Sequence, residues 1–158
     1  IFLILFCILS ALGSFLSIGK YTQISFTSMG SQILAVYGFF SMIVFGAIYF
    51  IVPRITGSEW GNLGGIQTHL VISMYSIVSL MVIHFFGGVW QAGAYAKFDA
   101  PLENAIASAK PYAIGASVVW IFILISVLRF SLNLLSLLFR TGRREISSNI
   151  VGRNKGIA

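Results

Sequence analysis

Four long apolar stretches divide this sequence, and each is long enough to cross a lipid bilayer. They cover about residues 1–18, 29–52, 66–90 and 112–139. A transmembrane helix needs about 20 apolar residues to cross a hydrocarbon core about 30 Å thick. The sequence therefore predicts an all-α fold, a polytopic transmembrane helix bundle with about four transmembrane helices.

The composition favours a membrane protein and leaves no room for a soluble domain. Hydrophobic residues make up 58% of the chain and charged residues only 9%, and the mean hydropathy is +0.94. A soluble domain needs far more charge to cover its surface. We therefore predict one four-helix transmembrane domain over residues 1–139 and a basic cytoplasmic tail over residues 140–158.

The net charge of +6 predicts a topology rather than a nucleic-acid partner, because the basic residues are unevenly distributed. Five of them lie in the tail: Arg140, Arg143, Arg144, Arg153 and Lys155. Arg54 would lie on the same face, and the opposite face would carry Lys20, Lys97 and Lys110. Basic residues next to a span mark the cytoplasmic side and attract anionic headgroups. We expect both termini in the cytoplasm, with lipids as partners of the tail.

Two histidines in the third apolar stretch are the first candidates for a functional site. His69 and His84 are 15 positions apart, or about 22 Å along a helix, so they cannot ligate the same metal. For His69, near the cytoplasmic start of its span, we expect an interfacial histidine bonded to a loop. An ionisable group as deep as His84 is a functional candidate. The alternative is a neutral histidine bonded to a neighbouring helix.

Arg129 is the one charged residue well inside a predicted span. A cation at that depth must reach the headgroups, pair with an acid or face a wet cavity. The spans contain no acidic residue, so we expect Arg129 to reach the inner headgroups. The fourth span would then end near Phe130, with residues 131–139 along the membrane surface. The lack of acidic residues in the spans also argues against a carboxylate proton relay, a transporter or a channel.

The second span carries residues by which the chain resembles a known family. Met29 to Phe40, followed by Phe45 to Arg54, resembles the tenth helix of haem–copper oxidase subunit I. The C-type (cbb3-type) cytochrome c oxidases are the most similar, with nitric oxide reductases as relatives. The resemblance continues through Gly57-Ser58-Glu59-Trp60, His69, Gly87-Gly88-Val89-Trp90-Gln91 and Pro111-Tyr112. It covers most of the chain, as the last four helices of a subunit that normally has twelve, and it implies a bacterial inner-membrane protein of electron transport.

The sequence departs from this family where its relatives ligate haem. Their helix opens with Gly-His-x-His, and the two histidines ligate the high-spin and low-spin haem irons; here the residues are Gly30-Ser31-Gln32-Ile33. Ser31 and Ile33 therefore stand at vacated haem-ligand positions. The family's copper ligands belong to earlier helices that this sequence does not contain, and two histidines are too few for a centre that uses six. The resemblance implies a shared fold without catalytic or metal-binding residues.

These observations predict a non-catalytic structural or accessory subunit of a membrane electron-transfer complex. We expect other membrane subunits as partners, no cofactor in this chain and no enzyme activity of its own. One alternative is a haem-binding electron-transfer subunit, in which His84 is one axial ligand and a partner helix, or Met29, supplies the other. Another alternative is one piece of a split cytochrome c oxidase, with haem ligands shared from a partner.

Overall fold

The computed structural model describes residues 1–23, 25–96 and 101–155. All regular structure in these ranges is helical, so the predicted all-α fold is confirmed. Three helices are long and apolar enough to cross a membrane: Phe26–Thr56, Leu63–Tyr95 and Leu102–Arg144. A shorter apolar helix, Phe2–Gly13, accompanies them. Their length and composition fit an integral membrane protein.

Seven helical elements follow one another in the described residues. They are α1 (Phe2–Gly13), α2 (Leu16–Thr22), α3 (Phe26–Ile33), a π-helical segment (Leu34–Ser41), α4 (Met42–Thr56), α5 (Leu63–Tyr95) and α6 (Leu102–Lys155). The third to fifth elements form one continuous helix of 31 residues. Three long helices therefore make up most of the described residues.

Local sequence explains where these helices begin and end. Ser25 has an extended backbone at the N-cap of α3, and its hydroxyl accepts a hydrogen bond from the N–H of Thr27. Gly57 ends α4 in the left-handed conformation, with φ 58°, which favours glycine. Asn62 caps α5 by accepting from the N–H of Gly65 at 2.9 Å. Serine and asparagine are preferred at this position because they satisfy unpaired backbone N–H groups.

The predicted second span, residues 29–52, ends before Pro53, but α4 continues through Pro53 to Thr56. Proline has no N–H to donate to the carbonyl four residues earlier. That carbonyl belongs to Tyr49, and it accepts instead from the indole N–H of Trp60 at 2.9 Å. Trp60 therefore replaces the missing backbone hydrogen bond, and the helix persists for one further turn.

Two other predicted spans also differ in extent. The first apolar stretch is broken after Gly13 into α1 and α2, so α1 is only about 18 Å long. The fourth span begins at Leu102 rather than after Pro111, because the residues before Pro111 are strong helix formers. It then continues unbroken to Lys155. Residues 131–139 therefore extend α6 instead of forming a separate surface segment, and residues 140–155 of the tail are helical.

Hydrogen bonds between helices establish an antiparallel arrangement with two distinct ends. At one, the N–H of Phe26 donates to the side chain of Gln91 at 2.9 Å, joining the start of α3 to the end of α5. We call this the Phe26 end. At the opposite end, Asn133 of α6 donates to the carbonyl of Asn62 at 3.2 Å. We call this the Arg54 end, because α4 finishes there.

The bundle is apolar outside and partly polar inside, as expected for a protein in lipid. Its buried polar side chains are Ser25, Ser58, His69, Ser73, Ser76, His84, Ser126 and Asn133. We compared the most apolar 18-residue window of each long helix. The share of its residues that is buried is 33% for α5, 17% for α6 and 6% for Phe26–Thr56. Helix α5 is therefore central, whereas the apolar window of Phe26–Thr56 has the smallest share of buried residues.

Candidate functional site

His84 lies at a close contact between α3 and α5. Its side chain is 2% exposed, and its ring stacks on Phe26 with centroids 5.0 Å apart and planes at 14°. A methyl group on Gly30 would come within 2.8 Å of the His84 Cβ, so only glycine fits there. The Nδ1 of His84 lies 2.8 Å from the carbonyl oxygen of Leu80.

This hydrogen bond determines the tautomer of His84. A carbonyl oxygen can only accept, so Nδ1 carries the proton and Nε2 of the neutral ring keeps its lone pair. The bond is made within α5, whereas the sequence led us to expect one to a neighbouring helix. The physical reason is that α3 presents a glycine and an aromatic ring at this contact and offers His84 no polar side chain.

Ser31 and Ile33, the two positions at which the resemblance would place haem ligands, are engaged in ordinary helix packing. Ser31 donates its hydroxyl proton to the carbonyl of Ser28 at 2.8 Å. Ile33 is 6% exposed and forms the core cluster with Leu80 and Ala116. Neither side chain offers nitrogen or sulfur to iron, so these two residues do not fit the haems that proteins of the haem–copper oxidase family hold. Within the described ranges, no three His, Cys, Asp or Glu side chains lie together as a metal site.

A π-helical segment follows directly after Ile33. Leu34 and Gly38 are its buried residues, and a Cβ on Gly38 would lie 3.3 Å from side chains of both Phe2 and Ile77. Inserted π-helical turns often occur at functional sites, because they rotate the register of the residues that follow. Here the segment separates Ser31 and Ile33 from the aromatic residues of α4.

His69 lies in an aromatic cage formed by α4 and α6. It is 0% exposed, and its Nδ1 lies 2.9 Å from the hydroxyl oxygen of Tyr49. Phe45 contacts the ring edge to face, with centroids 4.6 Å apart, and the Phe130 centroid is 5.2 Å away. The expectation of an interfacial histidine bonded to a loop is therefore wrong, because the partner is a helical tyrosine.

The second ring nitrogen of His69 has no hydrogen-bond partner among the residues that the structure describes. Its Nε2 is buried and unpaired among the described residues, whichever tautomer the Tyr49 hydroxyl selects. An unsatisfied buried polar atom costs about 1–3 kcal/mol. The backbone carbonyl of His69 accepts a hydrogen bond from the Ser126 hydroxyl at 2.9 Å. Because the proton of Ser126 is used in that bond, Ser73 is the donor in the 2.7 Å bond between the two serine hydroxyls. These bonds join α5 to α6.

Arg129 belongs to neither histidine site. It is exposed on α6, whereas both histidines are buried, and its neighbour Phe130 forms a wall of the His69 cage. Arg129 lies one turn from Ser126 toward the Arg54 end. A long cationic side chain at such a position can extend along the helix toward headgroups.

The basic tail forms a cleft at the Arg54 end of the bundle. Its volume is about 580 Å³, and Arg140, Arg143 and Arg144 line it together with Ser136 and Ser147. Several guanidinium groups around one cleft suit a phosphate or carboxylate group. Lys97, which the sequence analysis assigns to the opposite face, lies outside the described residues.

The sequence pointed to the histidines but missed the residues that define their surroundings. Tyr49 and Phe45 are separated by one helical turn, so they face the same side of α4 and meet His69 together. That spacing of two aromatic residues was the available signal. No signal in the sequence indicated the stacking of Phe26 on His84, because this contact depends on how α3 crosses α5.

The fold and these sites define an all-α integral membrane protein with polar side chains between its helices and a buried, caged histidine. Comparisons with protein-family models, with curated proteins and with solved structures found no match. A relationship to haem–copper oxidases therefore stays a prediction from the sequence resemblance.

Proposed function

We propose that this chain is a non-catalytic structural subunit of a membrane electron-transfer complex. It would descend from the last four helices of haem–copper oxidase subunit I and lie in a bacterial inner membrane with both termini in the cytoplasm. The observation that carries the proposal is the state of the two ligand positions. Ile33 is a core residue and Ser31 is bonded to its own helix, so packing has been kept where iron ligands are missing.

The exposed apolar side chains of α4 support the proposal that the chain binds a partner in the same membrane. Only 6% of the most apolar window of Phe26–Thr56 is buried, and large side chains such as Ile43 and Phe50 are more than half exposed. Gly46 lies between them with open space where its Cβ would be. Small residues on a helix surface allow another helix to pack closely in lipid. We therefore assign the partner interface to α4.

Site-specific photo-crosslinking in intact membranes tests this interface. A photoreactive residue at Ile43 or Phe50 is expected to capture another membrane subunit. Matched controls at Leu124 and Leu128 on α6 are similarly exposed and apolar, and they are expected to capture lipid only. Equal capture from both helices would contradict the assignment of the interface to α4. A Soret band in the purified chain would overturn the non-catalytic role itself.

The arginine cleft supports a second contact, with anionic lipid. We infer that Arg143 and Arg144 bind headgroups of the cytoplasmic leaflet, where each basic residue contributes about 1 kcal/mol. The double variant R143E/R144E is expected to lose at least tenfold in affinity for vesicles containing phosphatidylglycerol. The variant K110E, at the Phe26 end, is the control. Unchanged binding by the double variant would refute this role.

One observation favours a second function, that of a haem-binding electron carrier. The bond from His84 to Leu80 leaves Nε2 with the lone pair that an axial ligand needs. Under the structural role, H84A leaves the visible spectrum of the whole complex unchanged, as does the control H69F. Loss of a haem band in H84A alone would favour the carrier.

A further inference from the structure

One face of α5 carries two exposed hydroxyl groups near the middle of the span. Helix α5 has 33 residues and is about 49 Å long, and its middle residue is Ser79, which is exposed. Tyr75 lies one turn away, about 6 Å along the helix, and its side chain is 73% exposed. Because a hydrocarbon core is about 30 Å thick, a helix centred in the bilayer has both residues well inside that core.

Neither hydroxyl has a hydrogen-bond partner among the residues that the structure describes. Two serines of α6 differ, because Ser117 and Ser131 each donate to the carbonyl four residues earlier in their own helix. Hydrocarbon chains offer no acceptor, so a polar group that faces them without a partner is costly. The two hydroxyls therefore indicate that this face of α5 is covered by a molecule with hydrogen-bonding groups.

The spacing of the exposed side chains around Tyr75 suits a second helix. These side chains follow one another at alternating steps of four and three residues: Val71, Tyr75, Val78, Val82, Phe85 and Val89. We call this row the Tyr75 face. Its spacing keeps the row turned toward a single neighbour and is typical of left-handed helix pairs. Ser79 lies beside the row, and a residue as small as serine allows a second helix to come close in lipid.

The absence of charge on α5 favours a second copy of this chain as that helix. Two copies of one sequence insert in the same orientation, so each residue lies at the same depth in both. In a two-fold pair, each residue near the axis then meets its own counterpart. Residues 63–95 contain no Lys, Arg, Asp or Glu, so no like charges would meet. A hydroxyl both donates and accepts, so Tyr75 is able to bond to its counterpart.

The exposed face of α4 differs in charge. Arg54 is exposed there, and its guanidinium carbon lies 3.4 Å from the centroid of the Phe50 ring. A two-fold pair through α4 would bring two Arg54 side chains to the same depth on facing helices, and like charges across an interface repel. The face of α4 therefore suits a different subunit, whereas the Tyr75 face suits a copy of itself.

We propose that the Tyr75 face joins two copies of this chain in a parallel two-fold dimer. The two Tyr75 hydroxyls bond to each other across the symmetry axis, the valines of the face pack around them, and Ser79 allows the two α5 helices to approach closely. The dimer goes beyond the structural role proposed above and does not depend on it, because the partner interface of that role lies on α4.

Cysteine crosslinking of the full chain in membranes tests the dimer, in a C7S background that removes the native cysteine. V78C places a cysteine on the Tyr75 face, and V118C is the matched control on α6. Both valines are exposed, by 40% and 50%. They lie at the same depth, because Ala116 packs with Leu80 and the two helices are antiparallel. After oxidation by copper phenanthroline, we expect V78C to form a disulfide-linked dimer and V118C to stay monomeric. Equal crosslinking of both, or capture of a different protein by V78C, would overturn the proposal.

Sedimentation equilibrium of the purified chain in detergent measures the two contributions to dimer formation separately. Y75F removes only the hydroxyl and is expected to raise the Kd of the dimer about threefold. S79F blocks the close approach and is expected to raise this Kd at least tenfold, whereas the control V118F on α6 leaves it unchanged. All three positions are exposed, so the circular dichroism of each variant is expected to match that of the unaltered chain. A chain that is monomeric at every concentration, or a Kd that neither Y75F nor S79F alters, would refute the dimer.

Discussion

Replacement of Gly88 by alanine tests whether α3 and α5 pack as closely as the structure shows. Gly88 is buried, and a Cβ there would lie 2.9 Å from the Cα of Thr27 and closer still to its N and Oγ1. Ordinary contacts between carbon atoms are about 3.5–4.0 Å. The obstacle is backbone, which cannot rotate away as a flexible side chain can. The two helices must therefore separate locally by about 1 Å.

The expected magnitude follows from two opposing effects. Alanine is favoured over glycine inside a helix by about 1 kcal/mol. Overpacking of a close contact costs about 1–3 kcal/mol, and a contact with backbone belongs at the upper end of this range. We expect G88A to lower the free energy of unfolding by about 1–2 kcal/mol. The control G93A lies on the same helix with open space around its Cβ, and is expected to be neutral or slightly stabilising.

Unfolding by sodium dodecyl sulfate in mixed micelles, followed by circular dichroism, measures both variants against the unaltered chain. A difference of about 1.4 kcal/mol between them corresponds to tenfold in the folding equilibrium. Equal stability of G88A and G93A would refute the close approach of α3 to α5. It would also remove the basis for placing Thr27 over Gly88.

The same unfolding measurement checks three further predictions. Y49F leaves both ring nitrogens of His69 unpaired in an aromatic cage and is expected to cost about 1–3 kcal/mol; stability equal to that of the unaltered chain would contradict the bond. S126A removes two hydrogen bonds that join α5 and α6. An interhelical hydrogen bond in a membrane protein contributes about 0.6 kcal/mol on average, so S126A is expected to lower the free energy of unfolding by about 1 kcal/mol. Its control S117A loses only a bond within its own helix and is expected to change little, so equal effects would argue against the buried network. N62A removes the cap of α5 and is expected to cost about 1 kcal/mol.

The apolar stretches alone determined that this chain is a helical membrane protein. Lipid leaves every backbone polar group to be satisfied within its own helix, so a run of about 20 apolar residues predicts a span whatever surrounds it. Some helix boundaries also depend on local side chains. Ser25 and Asn62 act as caps through bonds to N–H groups two and three residues later, so the partners are near neighbours in the sequence.

Only the tertiary structure decided what each polar group contacts. The continuation of α4 past Pro53 depends on an indole from the following turn, and the burial of His69 depends on aromatic rings from two other helices. The hydroxyl of Thr27, which is unpaired among the described residues, is buried by the approach of α5. The physical reason is that transfer of a helix into lipid depends on its own side chains, whereas a hydrogen-bond partner depends on how two helices cross. A single sequence does not encode that crossing in any local pattern.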